Sequence, residues 1–172
     1  MTLRRVLIVG FGNVLLGDDG FGVEVIKRLA ASELPSYIET MDVGIAGMHF
    51  VLQLMEGFEA VIVVDAIKRG QPPGTLYVFT PTEADLDLPS GEQIDPHFAE
   101  PARSLKLARA LGLLPEHVTV VGCEPASCQL GMPLSVSANV AVDHAVQMIR
   151  ILVAAGVDRT AGEIHPGTRN VS

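Results

Sequence analysis

Three side chains that could bind a divalent metal ion follow three separate apolar segments of the chain. Asp19 lies in a glycine-rich segment after an apolar run, Asp65 ends the apolar run V-I-V-V-D, and His97 lies in the sequence D-P-H. Two carboxylates and one imidazole suit an ion such as nickel, zinc or manganese, and three protein ligands leave coordination positions open. The residue types therefore predict a metal site formed by three loops.

Each of these residues also has an ordinary structural explanation. Asp65 could pair with the basic residues at positions 68 and 69, because burying a carboxylate without a partner is costly. Asp18 and Asp19 directly precede a predicted helix, so one of them could cap its N-terminus. A lone histidine is more often a structural residue than a ligand. Only their expected convergence at one edge of a sheet favours the metal site.

The glycine-rich segment G-F-G-N-V-L-L-G-D-D-G-F-G, which runs from Gly10 to Gly22, does not fit a nucleotide-binding loop. A dinucleotide fingerprint needs a third glycine where Leu15 stands, and a P-loop needs a lysine where Asp18 stands. Adjacent carboxylates would repel phosphate. The formal net charge of −8 likewise argues against a nucleic-acid partner. The segment suits a cation.

No other catalytic motif is recognisable in the sequence. The chain lacks the H-E-x-x-H sequence of a zinc protease and the G-x-S-x-G sequence of a serine hydrolase. Cys123 and Cys128 are separated by four residues, which is wider than a C-x-x-C metal or redox motif. We expect both to be reduced thiols, with metal binding by Cys123 as the less favoured alternative. The role of Asp42, which ends a predicted strand, is left open.

Apolar strands and amphipathic helices alternate along the chain and predict one α/β domain over residues 1–172, with a frayed tail at 156–172. The predicted strands are 6–9, 37–41, 60–64, 75–79 and 118–121, and the predicted helices are 20–31, 48–55, 102–111 and 135–155. The expected architecture is a three-layer α/β/α fold around a twisted, mostly parallel five-stranded sheet with one antiparallel strand. The short turn after the third strand predicts that the third and fourth strands pair antiparallel. The acidic segment 80–95 is expected to be a long loop.

No segment is predicted to cross a membrane. The N-terminal apolar run follows two arginines but lacks a signal-peptide cleavage site, so it is interpreted as a buried strand. The apolar segment 136–153 carries polar residues three or four positions apart, which form one stripe on a helix. The stripe consists of Ser135, Asn139, Asp143, Gln147 and Arg150. These features favour a soluble, cytoplasmic protein.

Five short motifs together resemble the [NiFe]-hydrogenase maturation endopeptidases. They are G-F-G-N-V-L-L-G-D-D-G-F-G, D-V-G-I-A-G, V-V-D-A, D-P-H and V-G-C-E-P, which occur in this order between Gly10 and Pro125. The first motif is uncommon outside that family. The others are short, and their order adds to the resemblance.

The resemblance implies an endopeptidase that removes the C-terminal extension of the hydrogenase large-subunit precursor after nickel insertion. It implies that Asp19, Asp65 and His97 contact the metal and carry the catalysis, with a supporting role for Asp18. The nickel would arrive with the substrate, and the free enzyme would hold no tightly bound metal. The partner would be the precursor protein, without nucleic acid or membrane.

The chain departs from the family pattern in two places. Val43 and Ile45 stand where a further glycine and a hydroxyl residue are common, and Pro101 is expected to delay or kink a helix near His97. Two other functions stay open: a metallohydrolase that binds its own zinc or manganese, and a non-catalytic nickel-dependent assembly chaperone. A nucleoside-handling enzyme fits less well, because an aromatic content of 5% offers few stacking surfaces.

Overall fold

The computed structural model describes residues 5–87 and 98–156 of the chain. Five strands lie within these ranges: β1 (Val6–Phe11), β2 (Ile38–Gly44), β3 (Ala60–Ala66), β4 (Leu76–Phe79) and β5 (His117–Cys123). The α-helices in the same ranges are α1 (Phe21–Ala30), α2 (Gly47–Gln53), α3 (Glu83–Leu86), α4 (Ala99–Ala110) and α5 (Val136–Ala154). Short 3-10 turns span Gly17–Gly20 and Leu54–Glu56.

The strands form one twisted sheet in the order β2-β1-β3-β5-β4. β1 is parallel to β2 and β3, β3 is parallel to β5, and β4 is antiparallel to β5. This confirms the predicted mostly parallel five-stranded sheet with one antiparallel strand. The predicted pairing of the third and fourth strands is wrong, because β5 lies between them. The connection 67–75 passes over the end of β5, with Ile67 N donating to Cys123 O and Gly74 N to Glu124 O.

Two hydrophobic cores cover the two faces of the sheet and give the three predicted layers. One core joins alternate residues of β1 and β3 to the apolar sides of α1 and α5. The other joins the intervening strand residues to α2, α3 and α4. Every residue of β1 and β3 is buried, as expected for central parallel strands that are covered on both faces.

The helix α5 is, among the described residues, the one helix with the length and composition of a membrane span. Its apolar side packs into the core through Val142, Ala145 and Ile149. The predicted polar stripe at positions 139, 143, 147 and 150 is exposed on the opposite side. The packing identifies α5 as a core helix of the α/β fold.

The helix α4 begins at Ala99, three residues before its predicted start. Pro101 lies in its first turn, so the expectation that this proline delays the helix is wrong. The first amide groups of a helix have no intrahelical acceptor, and a proline there removes no hydrogen bond. Within the predicted loop 80–95, Thr82 and Asp85 form a capping box that starts α3. Residues 88–97 and the predicted tail from 157 onward lie outside the described residues.

Candidate active site

The candidate site lies at the carboxyl ends of β1 and β3. These two strands are parallel neighbours, and the order of the sheet reverses between them: the chain goes from β1 to β2 on one side and from β3 to β5 on the other. Ligands of α/β proteins bind in the crevice at such a switch point. Asp19 follows β1, and Asp65 is the penultimate residue of β3.

Gly12 lies against the Asp19 backbone and near the carboxylate of Asp65. Its φ angle is 125°, a conformation that other residues rarely adopt. A Cβ atom built on Gly12 would lie 1.8 Å from the Asp19 carbonyl oxygen and 3.6 Å from Asp65 Oδ1. The absence of a side chain at position 12 therefore allows the Asp19 backbone and the Asp65 carboxylate to approach the same point.

A tight turn encloses the carboxylate of Asp19. Asp19 is 8% exposed, and its Oδ2 accepts a hydrogen bond from Asn13 N at 2.8 Å. The Asn13 side chain accepts a hydrogen bond from Leu15 N at 3.0 Å, and Leu16 N donates to Asn13 O. The turn that follows Gly12 is thus built on Asn13 and fixes one oxygen of Asp19.

The carboxylate of Asp65 is 1% exposed, and its Oδ1 accepts a hydrogen bond from Ala66 N at 2.8 Å. Arg69, one of the basic residues considered as its partner, lies with its guanidinium carbon 4.2 Å from the centre of the Phe79 ring. The backbone N of Arg69 donates to Glu124. Asp65 thus combines deep burial with a fixed orientation at the end of a central strand.

The first acid of the double-acid motif has a structural role. Asp18 accepts hydrogen bonds from Ser135 N at 2.6 Å, Ser135 Oγ at 2.8 Å and Ala126 N at 2.7 Å. The predicted capping of α1 by Asp18 or Asp19 is wrong, because the N-cap of α1 is Gly20 and no side chain caps it. Both acids lie in the preceding 3-10 turn, which directs Asp18 toward the start of α5.

Glu124 was not identified as a functional residue from the sequence, where it appears only inside the motif C-E-P. Its buried carboxylate accepts hydrogen bonds from Arg69 N at 2.8 Å, Gly70 N at 3.1 Å and the Tyr77 hydroxyl at 2.5 Å. Burial alone would raise the pKa of Glu124, but these hydrogen bonds outweigh it and lower the pKa. Burial and the Glu124 carboxylate raise the pKa of Tyr77. Glu124 therefore fixes the connection that follows the Asp65 strand.

Both cysteines are free thiols, as predicted. Cys123 is buried at the end of β5, and its Sγ donates to Glu124 O at 3.6 Å. Burial, followed by the nearby carboxylates of Asp18 and Glu124, raises the pKa of Cys123 to about 12. The thiol stays protonated at neutral pH, which disfavours metal binding through a thiolate. Cys128 is partly exposed in the next loop.

The structure describes three of the five histidines. His49 lies in α2, His144 in α5, and His117 begins β5. His97 lies outside the described residues, as does His165. No group of three His, Cys, Asp or Glu side chains within residues 5–87 and 98–156 is arranged to hold a metal ion. The positions of Asp19 and Asp65 are thus described, and the three-residue metal site stays a prediction.

Comparisons with known proteins identify the family of this chain. The hydrogenase maturation protease model (HycI) matches residues 23–151. The hydrogenase expression/formation protein HupD of Rhodobacter capsulatus is 34% identical over 165 residues, which cover 92% of this chain and 76% of HupD. The hydrogenase 2 maturation protease of Escherichia coli is 31% identical over 159 residues, with 90% and 94% coverage.

Solved structures agree with these sequence relatives. The hydrogenase maturating endopeptidase HybD of Escherichia coli has a TM-score of 0.75 and 29% sequence identity, covering 88% of this chain and 94% of HybD. This chain therefore shares the fold of HybD. The chain therefore belongs to the hydrogenase maturation proteases, a family of endopeptidases.

Proposed function

We propose that this protein removes the C-terminal extension of a [NiFe]-hydrogenase large-subunit precursor after nickel has been inserted. The observation that carries the proposal is the approach of the Asp19 backbone and the Asp65 carboxylate to one point beside Gly12, with both carboxylates buried at the switch-point crevice. Family membership supplies the reaction class, which is the hydrolysis of a peptide bond. The crevice supplies acidic groups suited to that reaction.

The two carboxylates favour a cation at the crevice. Each is more than nine-tenths buried, and a positive charge near a buried carboxylate stabilises its charged form. Divalent nickel accepts carboxylate oxygens and imidazole nitrogen as ligands. In this proposal the nickel is part of the substrate, and the enzyme contributes an incomplete set of ligands that contacts it.

His97 is proposed as the third member of this set. The described chain resumes at Phe98, and Glu100 in the first turn of α4 lies against Gly47 at the start of α2. Because α2 follows β2, the start of α4 lies at the carboxyl edge of the sheet. His97 directly precedes Phe98 in the sequence, and this nearness in sequence to the start of α4 supports its assignment.

The proposed chemistry assigns the protein side chains to positioning and proton transfer. One oxygen of each carboxylate accepts a backbone N–H, which fixes its orientation before substrate binds. One carboxylate accepts a proton from the water that attacks the scissile carbonyl, and the C–N bond breaks as the leaving amine is protonated. The nickel of the substrate would orient the peptide and polarise its carbonyl oxygen.

The decisive experiment compares nickel-loaded and nickel-free precursor as substrates of the purified protein. We expect mass spectrometry to show loss of the C-terminal extension from the nickel-loaded precursor only. Equal processing of both forms, or of neither, would contradict the proposal. Metal analysis of the purified protein separates the self-metallated alternative, for which one tightly bound zinc or manganese ion per chain is expected.

Substitutions then test the residues. Asp19→Asn, Asp65→Asn and His97→Ala should each lower the cleavage rate at least ~100-fold, the lower range of an acid–base contribution. Asp143→Asn removes an exposed carboxylate of α5 and is the matched control, with an unchanged rate expected. Metal-dependent binding of precursor without cleavage would instead indicate an assembly chaperone. We further propose a cytoplasmic location, which the two free thiols support.

A further inference from the structure

Four exposed apolar side chains lie on the two loops beside the candidate active site. Val14 and Leu15 belong to the turn after β1, and Leu130 and Met132 to the loop before α5; we call these four the apolar rim. Leu15 is 61% exposed and Leu130 is 77% exposed. Isolated exposed apolar residues are common, but a cluster beside a crevice is typical of a binding surface.

Backbone hydrogen bonds join the two loops into one surface. Gly131 N donates to Leu15 O at 2.8 Å, and Gly17 N donates to Met132 O at 3.1 Å. Asp18 N adds a third bond to Ser127 O, while its carboxylate holds the start of α5. The apolar rim is therefore fixed before any partner binds, so binding costs little conformational entropy.

The same turn connects the apolar rim to the candidate catalytic carboxylate. Val14 and Leu15 are the central residues of the turn closed by the bond from Leu16 N to Asn13 O. Asn13 N donates to Asp19 Oδ2, so this turn also encloses the carboxylate of Asp19. A polypeptide bound at Asp19 would therefore lie next to the turn that carries Val14 and Leu15.

The loops of the apolar rim carry no charge that could bind a charged segment. The sequence has no Lys, Arg, Asp or Glu between Arg5 and Asp18, or between Glu124 and Asp143. An acidic segment would also be repelled by Asp19 and Asp65 in the adjacent crevice. An uncharged, apolar segment gains the most from this surface because it loses no hydrated charge on binding.

A second copy of this chain is a weaker occupant. A stable protein–protein interface buries about 800 Å² on each partner, which is far more than four side chains offer. A segment of polypeptide beside an active site needs no such area, since other contacts at the crevice add to its binding. The small size of the apolar rim thus favours a peptide segment over a dimer contact.

We propose that the apolar rim binds an uncharged, apolar segment of the polypeptide substrate next to the scissile bond. This inference rests on the proposed protease function and specifies the part of the substrate that the enzyme contacts. It assigns substrate binding to side chains that do not take part in the chemistry. Loss of these side chains should weaken substrate and transition-state binding equally.

The test measures steady-state cleavage of nickel-loaded large-subunit precursor by the full-length chain. The double variant Leu15→Ser/Leu130→Ser should raise KM about tenfold with kcat unchanged, because the lost contacts are uniform binding contacts. Leu130→Asp should raise KM further than the double variant does. Leu130→Met, which keeps an apolar side chain, should have the wild-type KM. Ile151→Ser is the matched control, because Ile151 is similarly exposed at the far end of α5, and its KM should stay at the wild-type value.

The outcomes separate this inference from the proposed function. If the wild-type protein cleaves the precursor and the double variant has the same KM, the inference is overturned and the protease function stays intact. A fall in kcat at constant KM would also overturn it, because the apolar rim would then shape the site. If the wild-type protein does not cleave the precursor, both the inference and the proposed protease function are overturned. Self-association in sedimentation velocity that the double variant abolishes, with KM unchanged, would identify a second copy as the occupant and overturn the inference.

Discussion

Asp18 and Asp19 are adjacent in the chain, but their carboxylates have separate partners on different sides of the same 3-10 turn. Asp18 binds Ser135 at the start of α5, and Asp19 binds the backbone of Asn13 beside the crevice. Successive side chains in a 3-10 turn point about 120° apart, since the turn has three residues. One double-acid motif thus combines a structural anchor with a candidate catalytic group.

This separation predicts opposite effects of two similar substitutions. Asp18→Asn should lower the free energy of unfolding by about 3 kcal/mol, because an amide nitrogen would face donors that now bind a buried carboxylate. Asp19→Asn should change the stability by less than about 1 kcal/mol, because the remaining amide oxygen can still accept from Asn13 N. Urea denaturation followed by circular dichroism measures both values.

The activity of these two variants provides the complementary measurement. Asp19→Asn should lose cleavage of the precursor while it remains folded. Folded Asp18→Asn should retain measurable cleavage below its unfolding temperature, since its carboxylate is directed toward α5. A stable but inactive Asp18→Asn together with an active Asp19→Asn would show that the two roles are reversed.

Gly12→Ala is expected to disrupt the candidate site specifically. The new Cβ would lie 1.8 Å from the Asp19 carbonyl oxygen, so the backbone that positions Asp19 must move. A displacement of about 1 Å can cost about 100-fold in rate, and a loss of this size in kcat/KM is expected. Gly112→Ala is the control: Gly112 also has a positive φ, but nothing lies within 4 Å of its added Cβ. That variant should lose only about 1 kcal/mol of stability and keep its activity.

A similar loss of activity in Gly112→Ala would contradict this explanation, because general destabilisation would then account for both variants. Wild-type activity in Gly12→Ala would show that the approach of Asp19 to Asp65 is not needed for cleavage. Thermal unfolding of each variant establishes that the assays compare folded proteins.

The sequence alone predicted the edge of the sheet at which the site lies, because local patterns determine it. The wholly apolar runs of β1 and β3 indicate central parallel strands, and acids that follow such strands meet at one edge. The structure places Asp65 at the end of β3 and Asp19 after β1, while their joint role in a site stays a prediction. The structure adds that β1 and β3 pair directly.

The predictions that failed depend on contacts between distant parts of the chain. The position of β4 follows from its antiparallel pairing with β5, which a turn next to β3 does not reveal. The partner of Asp18 is Ser135, more than one hundred positions away in the sequence. Glu124 likewise binds groups of the connection after β3. Neither partner could be read from local spacing, whereas the approximate positions of the five strands and of α1, α2, α4 and α5 could.

The two cysteines should differ in their reaction with a thiol reagent. Cys123 is buried and its pKa is raised to about 12 by burial, so almost no thiolate forms at pH 8. Cys128 is partly exposed and should be the one thiol of the native protein that reacts with iodoacetamide. Peptide mapping by mass spectrometry locates the label, and Cys128→Ser should leave the native protein unlabelled. Label on Cys123 under native conditions would show that the end of β5 opens.

Glu124→Gln tests whether the carboxylate that holds the connection after β3 contributes pH-dependent stability. At pH 7 this variant should lose about 2 kcal/mol, because its amide nitrogen would face the N–H groups of Arg69 and Gly70. The folded-state pKa of Glu124 is lowered from 4.5, because its hydrogen bonds outweigh burial. Its stabilising effect is therefore complete above pH 4.5 and is lost as the pH falls through the lowered value.

The difference in unfolding free energy between wild type and Glu124→Gln should consequently narrow as the solution is acidified below pH 4.5. Urea titrations at pH 7 and at successively lower pH measure this difference directly. Glu33→Gln serves as the control, since Glu33 is exposed and its substitution should have little effect at either pH. If the difference in unfolding free energy between wild type and Glu124→Gln is constant across the pH range, the ionisation of Glu124 does not contribute to stability. A difference that widens on acidification would contradict the lowered pKa of Glu124.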